Sequence, residues 1–441
     1  MKFHPERDSL TLELHARPIR PVRAPLRISH IGFGTGEHGG DRDFEDLVAL
    51  CLKFGTAEPS ADMKHFTADL GPFTVKWERH TEFSTYTFLR EESFDAPFEE
   101  TVFGLLPADW KEAKFGEVMV AVHLAVADGM ETPLDPNKLS RWFDGNEVFA
   151  NRMEKANRME KANRMEKDWV EIYGDLRTHD DGFDRMYLRA GDLGQELLGQ
   201  TVQRVLELNT YWRLSLLSLP IARENSPKLE RIERGLARIA AELADGDPNR
   251  TDESLLDPLA QLSAELETII ASSSYRYRAS TAYFEIVEGR LRQLGAVSLN
   301  GYIHLFDYLM RRIDPALRTC WSVQSRQEAI SKRASRLSSL LRTGIEVKVE
   351  RQNRDLLDSM NRRAAQSLAI QRTVEGLSVV AISYYAVNLL KYLLEGMVKA
   401  HLITVDPTIV SAAFLPVLVI ALWFSLHRLT RRALKKPDKD A

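Results

Sequence analysis

The chain has 441 residues, 44% of them apolar and 28% charged, with a formal net charge of -4, which is ordinary for folded protein with room for two or three domains. The slightly acidic total excludes a general nucleic-acid binder, because that affinity comes from Lys and Arg neutralising phosphates. Cys51 and Cys320, the only cysteines, exclude a disulfide framework or a cysteine zinc cluster and read as reduced thiols.

Residues 1–8 hold no apolar core of the length a secretory signal requires, so the first domain is expected to stay in the cytoplasm. Up to about Gly191 the pattern is α/β or α+β. Residues 25–33 (PLRISHIGF) read as a strand, and 41–54 as a helix with Asp41 or Asp43 near its cap and Phe44, Leu47, Val48 and Cys51 on one face. Phe73, Val75 and Trp77 alternate, as do Tyr86 and Phe88, which predicts paired strands; the apolar run 118–127 suits a central strand. Residues 169–176 and 183–188, joined through His179-Asp180-Asp181-Gly182, read as a hairpin that closes the domain.

A tandem repeat sits inside this region: Asn-Arg-Met-Glu-Lys-Ala at 151–156, again at 157–162, and once more from Asn163 to Lys167. On a helix, successive copies would lie about 120° apart, so Met153, Met159 and Met165 cannot share a face and the insert cannot build a core. It reads as a slipped duplication extending an exposed helix by ~9 Å per copy, in preference to a methionine-rich binding site.

Beyond Gly191 the chain turns helical. Leu193, Leu197, Val202, Val205, Leu206 and Trp212 recur at helical spacing up to Pro220; a second arm runs from about Lys228 to Leu243, and a third helix covers 255–297. Tyr275-Arg276-Tyr277-Arg278 on that helix reads as a solvated or packing face rather than a lipid-phosphate contact. No proline occurs between Pro315 and Pro407, and a continuous helix over 315–390 would be a rod of ~114 Å.

Residues 407–426 (PTIVSAAFLPVLVIALWFSL) carry no formal charge, about the length that spans ~30 Å of hydrocarbon. Pro416 is tolerable there because neighbouring helices re-satisfy the freed carbonyl. The run 376–390 is shorter and reaches spanning length if Lys391 snorkels and Tyr392-Leu393-Leu394 continue it. Arg362, Arg363 and Arg372 precede the first segment, and Arg428, Arg431, Arg432, Lys435 and Lys436 follow the second, whereas Lys399 and His401 are the basic groups between them, against Glu395 and Asp406. Basic flanks stay cytoplasmic, so a hairpin with both ends inside and the turn 395–406 outside is expected.

Gly34-Thr35-Gly36-Glu37-His38-Gly39 matches a phosphate-cradling glycine pattern between strand and helix. No Gly-Lys-Ser/Thr follows, and the acid at the right distance, Glu58, precedes Pro59 with no strand leading to it, so a flexible turn within 32–40 is preferred to nucleotide binding. The eleven histidines show no paired metal-ligand spacing. His123 reads as a hydrogen-bonded core residue, Cys51 as a buried thiol, and no nucleophile elbow is present. Neither catalysis nor a cofactor is therefore expected. Gln371, Glu375, Ser378, Tyr385 and Asn388 form a polar stripe running into the first span. Such a stripe must face protein or water. Copies in a symmetric oligomer would line a pore with Gln371, Ser378, Tyr385 and Asn388; the competing assignment is hydrogen bonding to the second span.

Several segments together resemble the bacterial membrane-anchored family called domain of unknown function 3422: Glu13-Leu14-His15-Ala16-Arg17-Pro18, His179-Asp180-Asp181-Gly182-Phe183, Gln203-Arg204-Val205-Leu206-Glu207, Leu219-Pro220-Ile221-Ala222-Arg223 and Thr373-Val374-Glu375-Gly376-Leu377-Ser378. The resemblance covers most of the chain and implies a membrane-anchored protein without an assigned activity. The order of parts also resembles CorA-type divalent-cation transporters, whose outer turn carries Gly-Met-Asn. Here Glu395-Gly396-Met397 is followed by Val398, so the magnesium motif is incomplete.

The expected protein has an α+β or α/β cytoplasmic domain (1–191, with the repeat at 151–167), a helical stalk (192–373), a transmembrane hairpin (374–427) and a basic cytoplasmic tail (428–441). The expected setting is the bacterial inner membrane, with the lipid bilayer and further copies of the chain as partners. The expected function is a homo-oligomeric two-span channel or transporter for an inorganic cation, regulated by the cytoplasmic domain. A membrane-tethered scaffold is the alternative, with an enzyme using the glycine loop behind both.

Overall fold

The computed structural model describes residues 3–7, 10–11, 19–35, 39–61, 63–112, 117–129, 134–154, 169–245, 252–295, 297–400 and 402–433. Packing divides the chain into two units, Met1–Ser338 and Ser339–Ala441.

The first unit is built on one sheet of β1 (Leu26–Gly34), β2 (His65–Asp69), β3 (Thr74–Arg79), β4 (Phe83–Glu91), β5 (Val118–Asp128), β6 (Phe149–Glu154), β7 (Trp169–Thr178), β8 (Asp184–Ala190) and β9 (Val297–Ser298). Their order is β2-β3-β4-β1-β5-β8-β7-β6-β9, antiparallel throughout except for the parallel pair β5 and β8. The apolar run expected as a central strand is β5, at the middle of the order. It is covered on both faces, which is why it does not alternate in polarity. Val120, Val122, Leu124 and Val126 enter one core, while Ala121 and Ala125 serve two others across the sheet.

Helices fill both faces. On one side lie α1 (Gly39–Lys53), α2 (Ala108–Glu112) and α3 (Pro136–Trp142); Leu47, Leu50 and Trp110 pack on Val75, Trp77 and Phe88, and Leu139 on Tyr173 and Tyr187. On the other side lie α4 (Gln195–Ser215), α6 (Leu256–Leu294) and the start of α7 (Leu305–Lys399), whose Val205, Val287 and Leu309 share one core with β1, β5, β7 and β8. The helices beyond residue 191 thus begin as part of the sheet's own core.

Next to them, α5 (Ser218–Asp245) runs antiparallel to α6, and α7 antiparallel to α6. Gln327 donates to Ser273 Oγ at 3.0 Å inside this bundle, and Arg326 pairs with Glu233 at 2.9 Å. Sequence reading began the second arm at Lys228, after Pro227; the helix instead starts at Ser218 and carries Pro227 within it. Pro220 falls in the first turn, where its missing N–H is harmless, and the burial of Ala222 and Asn225 outweighs the break that Pro227 signals.

The repeat is also placed differently from expectation. Asn151–Glu154 of its first copy are the end of β6, paired with β7, because Phe149 and Ala150 ahead of it are fully buried and draw the segment into the sheet. Residues 155–167 lie outside the described residues. Deleting 155–160 shortens the connection 155–168 between β6 and β7 by one copy, so the loop-closure cost falls by about 0.5 kcal/mol. The unfolding midpoint of that variant, followed by Trp fluorescence, is expected to stay level or rise slightly.

The second unit contains the remainder of α7 and α8 (Pro407–Ala433). Both helices contain stretches long and apolar enough to cross a membrane. In the last part of α7 Ser383 is buried, with Val379, Ala386 and Leu390 half-buried on the same helical face, and in α8 Ser411 is buried, with Pro407, Leu418 and Leu422 half-buried on its face.

Candidate functional site

The start of α7 is fastened to the sheet by residues distant in sequence. Asn151 on β6 is fully buried; its Oδ1 accepts the backbone N–H of Leu305 at 2.6 Å and its amide donates to the Val297 carbonyl at 3.4 Å. It thereby caps one of the donors that a helix N-terminus leaves unpaired. One turn later the Tyr308 hydroxyl donates to the Asp175 carbonyl at 2.8 Å, its ring lies 5.5 Å from that of Phe149, and Arg312 stacks on it at 3.7 Å while reaching Glu147 at 3.3 Å.

Beneath Tyr308 is a charged cluster on the β7–β8 hairpin. His179, buried, places Nδ1 2.6 Å from Asp144 Oδ2 and Nε2 3.0 Å from Asp175 Oδ2. The second approach is close but out of line for a hydrogen bond, so it is an electrostatic contact, and Asn146 donates to the same Asp175 oxygen at 2.9 Å. Arg185 Nη1 stands 3.2 Å from Asp144 Oδ2. Burial raises the Asp175 carboxyl, whereas the His179 hydrogen bond, helped by Arg185, lowers that of Asp144. Two non-glycine residues with positive φ, Asp144 (51°) and Leu176 (50°), both belong here. Such strain persists only where surroundings over-determine it, and here it turns Asp144 and Asp175 onto one imidazole.

Other constellations are structural. Ser29 Oγ lies 3.0 Å from His123 Nδ1, and His123 Nε2 lies 3.7 Å from Asp181. This resembles a hydrolytic triad in composition only, because Ser29 is fully buried and its oxygen accepts the Phe103 N–H at 3.0 Å, so no substrate can approach it. His123 stacks on Phe183 at 3.9 Å and is the hydrogen-bonded core residue expected. Cys51 and Cys320 are buried, and burial raises both thiols. Arg276 meets Glu82 at 2.9 Å, the Tyr283 hydroxyl donates to it at 2.7 Å, and Tyr277 is buried, so the Tyr-Arg run is a packing face.

The glycine pattern does join a strand to a helix, with β1 ending at Gly34 and α1 beginning at Gly39; Gly36, Glu37 and His38 lie outside the described residues. In the first turns of α1 the buried Asp43 accepts from Trp77 Nε1 at 2.7 Å, and an acid there opposes a phosphate at that terminus. A cleft of about 80 Å³ opens between α4 and β1, β3 and β4. His30 lies in its wall, bonded to Thr87 and Thr210, with the pair Lys76–Glu78 at 3.0 Å beside it. Among the described residues no group of three or more His, Cys, Asp or Glu is placed to hold a metal.

The residues singled out in the spans are all described. Gln371 donates to Glu375 Oε1 at 3.2 Å and Ser378 to the Val374 carbonyl at 2.8 Å, both along their own helix. Tyr385 is 68% exposed, and Asn388 is half-buried. Gln371 is exposed and Ser378 half-buried. Glu395, Gly396 and Met397, expected in an outer turn, belong to α7 itself, which runs to Lys399. The carbonyls of Gly396 and Met397 accept from Ala400 and Leu402 at 3.1 Å and close the helix, because nothing between Glu395 and Lys399 breaks it.

Sequence reading did not single out Asp144, Asn151, Asp175 or Tyr308. The hairpin connection His179-Asp180-Asp181-Gly182 points to this corner, and the Asp144-Gly145 dipeptide is a further turn signal there. No curated protein and no solved structure matches the chain, so the likeness to CorA-type transporters rests on the order of parts alone. Residues 2–433 match the family described as Protein of unknown function (DUF3422). With nearly its whole length matched, and with the hairpin and helix segments that carried the resemblance lying inside the match, the chain belongs to that family.

Proposed function

We propose that this is a two-span protein of the bacterial inner membrane whose folded unit controls passage of an inorganic cation through a homo-oligomeric assembly of its spans. The observation that carries it is α7. One uninterrupted helix, Leu305–Lys399, begins with Leu305, Tyr308 and Leu309 buried in the sheet's core and ends in a stretch apolar enough to cross a membrane. A helix rooted so firmly at one end can pass a displacement of the sheet corner along its length. The basic flanks Arg362, Arg363, Arg372 and Arg428 support cytoplasmic placement of both ends. Gln371, Ser378, Tyr385 and Asn388 offer neutral oxygens that replace part of a cation's hydration shell.

A tether without transport is the second reading, favoured by the way Gln371 and Ser378 satisfy their donors within α7. Ion flux into vesicles reconstituted with the full chain separates them. Under the proposal the double variant Gln371→Leu/Asn388→Leu, compared with the unaltered chain at equal oligomeric mass, loses at least about tenfold of the flux, which corresponds to about 1.4 kcal/mol. Flux that is absent from the unaltered chain, or unchanged in the variant, leaves the tether as the function.

A further inference from the structure

From Arg342 to Val374 no residue of α7 is buried. A helix of that length containing Thr343, Gly344, Val347, Val349, Asn353 and Thr373 is marginal on its own propensity, and most helices are held by an apolar face against something. Such a face exists. Leu357, Ala364, Gln371, Ser378 and Tyr385 recur every seven residues, and Met360, Ser367, Val374, Ala381 and Asn388 recur every seven, three positions later. These are the a and d positions of one unbroken heptad seam. Arg351, Asp355, Asp358, Arg362 and Arg372 all fall at b or f, and no a or d position from Asn353 to Asn388 is charged. Leu357, Met360 and Tyr385 are 60%, 58% and 68% exposed, and the one buried residue of this stretch, Ser383, lies at f, on the other side of the helix.

The polarity of the seam inverts along its length. Before the span it is mainly apolar, with Leu357, Met360, Ala364 and Val374; within the span it is small or polar, with Ser378, Ala381, Tyr385 and Asn388, while Leu377, Val380, Ile382 and Leu389 take the flanks. Water penalises exposed apolar surface and lipid penalises exposed polar groups, so a face that is apolar in the first and polar in the second is covered by protein in both. The cover must change polarity at the same depth. Another copy of α7, inserted from the same side of the same membrane, does so residue for residue.

We infer that residues 353–388 of α7 form a parallel, in-register self-association seam, through which copies of this chain pair along both the cytoplasmic and the membrane part of the helix. The inference rests on the proposed reading of 376–399 as a span of a homo-oligomer. Four single variants of the full chain test it in native membranes under mild oxidation: Ala364→Cys at a, Ala381→Cys at d, Ala365→Cys at b and Ala369→Cys at f, with the unaltered chain as control for Cys51 and Cys320, which are buried. Disulfide-linked dimers are expected at 364 and 381, at least about tenfold over 365 and 369. Equal yields at all four positions, or none at 364 and 381, overturn the seam. Linkage at 364 and 381 in a protein that carries no ions keeps the seam and removes the channel, so the two failures are told apart.

Discussion

Acid is expected to destabilise the first unit between about pH 6.5 and 4, a loss that begins well above the range in which ordinary carboxylates titrate. Burial lowers His30 from 6.5 to about 4, and lowers His123 from 6.5 to about 4 against the opposing pull of Asp181. The tautomer of His30 follows from its partners: Thr210 Oγ spends its proton on the Leu206 carbonyl, so His30 Nε2 donates to it and Nδ1 accepts from Thr87. A second ring proton has no acceptor prepared for it. Since the folded pKa lies below the unfolded one, stability is complete above pH 6.5 and falls with decreasing pH by about 1.4 kcal/mol per unit per histidine, until the folded pKa is reached. The total is roughly 3 kcal/mol each, or about 6 for both, comparable with the whole stability of many domains. Burial raises Asp43 and Asp175; their contribution has the opposite sign, growing as they take up protons, and it softens the slope at the acid end. Urea unfolding of the detergent-solubilised chain at several pH values, read by Trp fluorescence, measures the slope. His30→Gln should roughly halve it while leaving a folded protein at pH 8. A slope indifferent to both His30→Gln and His123→Gln would show that neither ring is held neutral.

Much of the first unit could be read from local pattern because burial imposes it locally. Tyr86 and Phe88 alternate because β4 has one face on the aromatic core; the paired strands β3–β4 and the β7–β8 hairpin follow from turn residues between apolar runs. What could not be read is pairing at a distance. Nothing near Val122 or Asp184 announces that β5 and β8 lie side by side and parallel, and the hairpin expected to close the domain instead carries β6 beyond it. The stalk was misjudged at its root for a related reason: Leu309 and Ile313 show the same helical spacing whether they pack on a sheet or on another helix. In the second unit, the length of the uncharged runs is enough to mark two helices apolar enough to cross a membrane, since hydrocarbon thickness sets the length required. The end of α7 was less legible, because Glu395-Gly396-Met397 is compatible with either a turn or a last helical turn. The polar stripe is visible in the sequence.

The repeat shows most sharply where sequence falls short, and it supplies the second large effect. Asn151→Leu is expected to lower the stability of the first unit by roughly 3 kcal/mol. Leucine has asparagine's branched outline but is larger and offers no acceptor, so the buried Leu305 N–H loses its cap and is left unpaired, at about 1–3 kcal/mol, and the added volume strains the fully buried site by about 1–3 kcal/mol more. Asn157 and Asn163 stand in the same hexapeptide, and a slip of β6 by one copy keeps the inward and outward faces, since six is even. The slip would offer Asn157 to Leu305 and so repair the loss. It would also put Lys155 in place of Phe149, which is fully buried against Gly174 and Tyr308. Losing a buried phenylalanine costs about 3–5 kcal/mol before the lysine's desolvation is added. The repair therefore costs more than the damage, and the variant should stay in register and lose stability. Trp fluorescence in urea checks the size of the loss. If Asn151→Leu is neutral, the strand has slipped or the cap is dispensable, and Lys155→Phe decides which: a slipped strand gains stability from it, and an unslipped one does not.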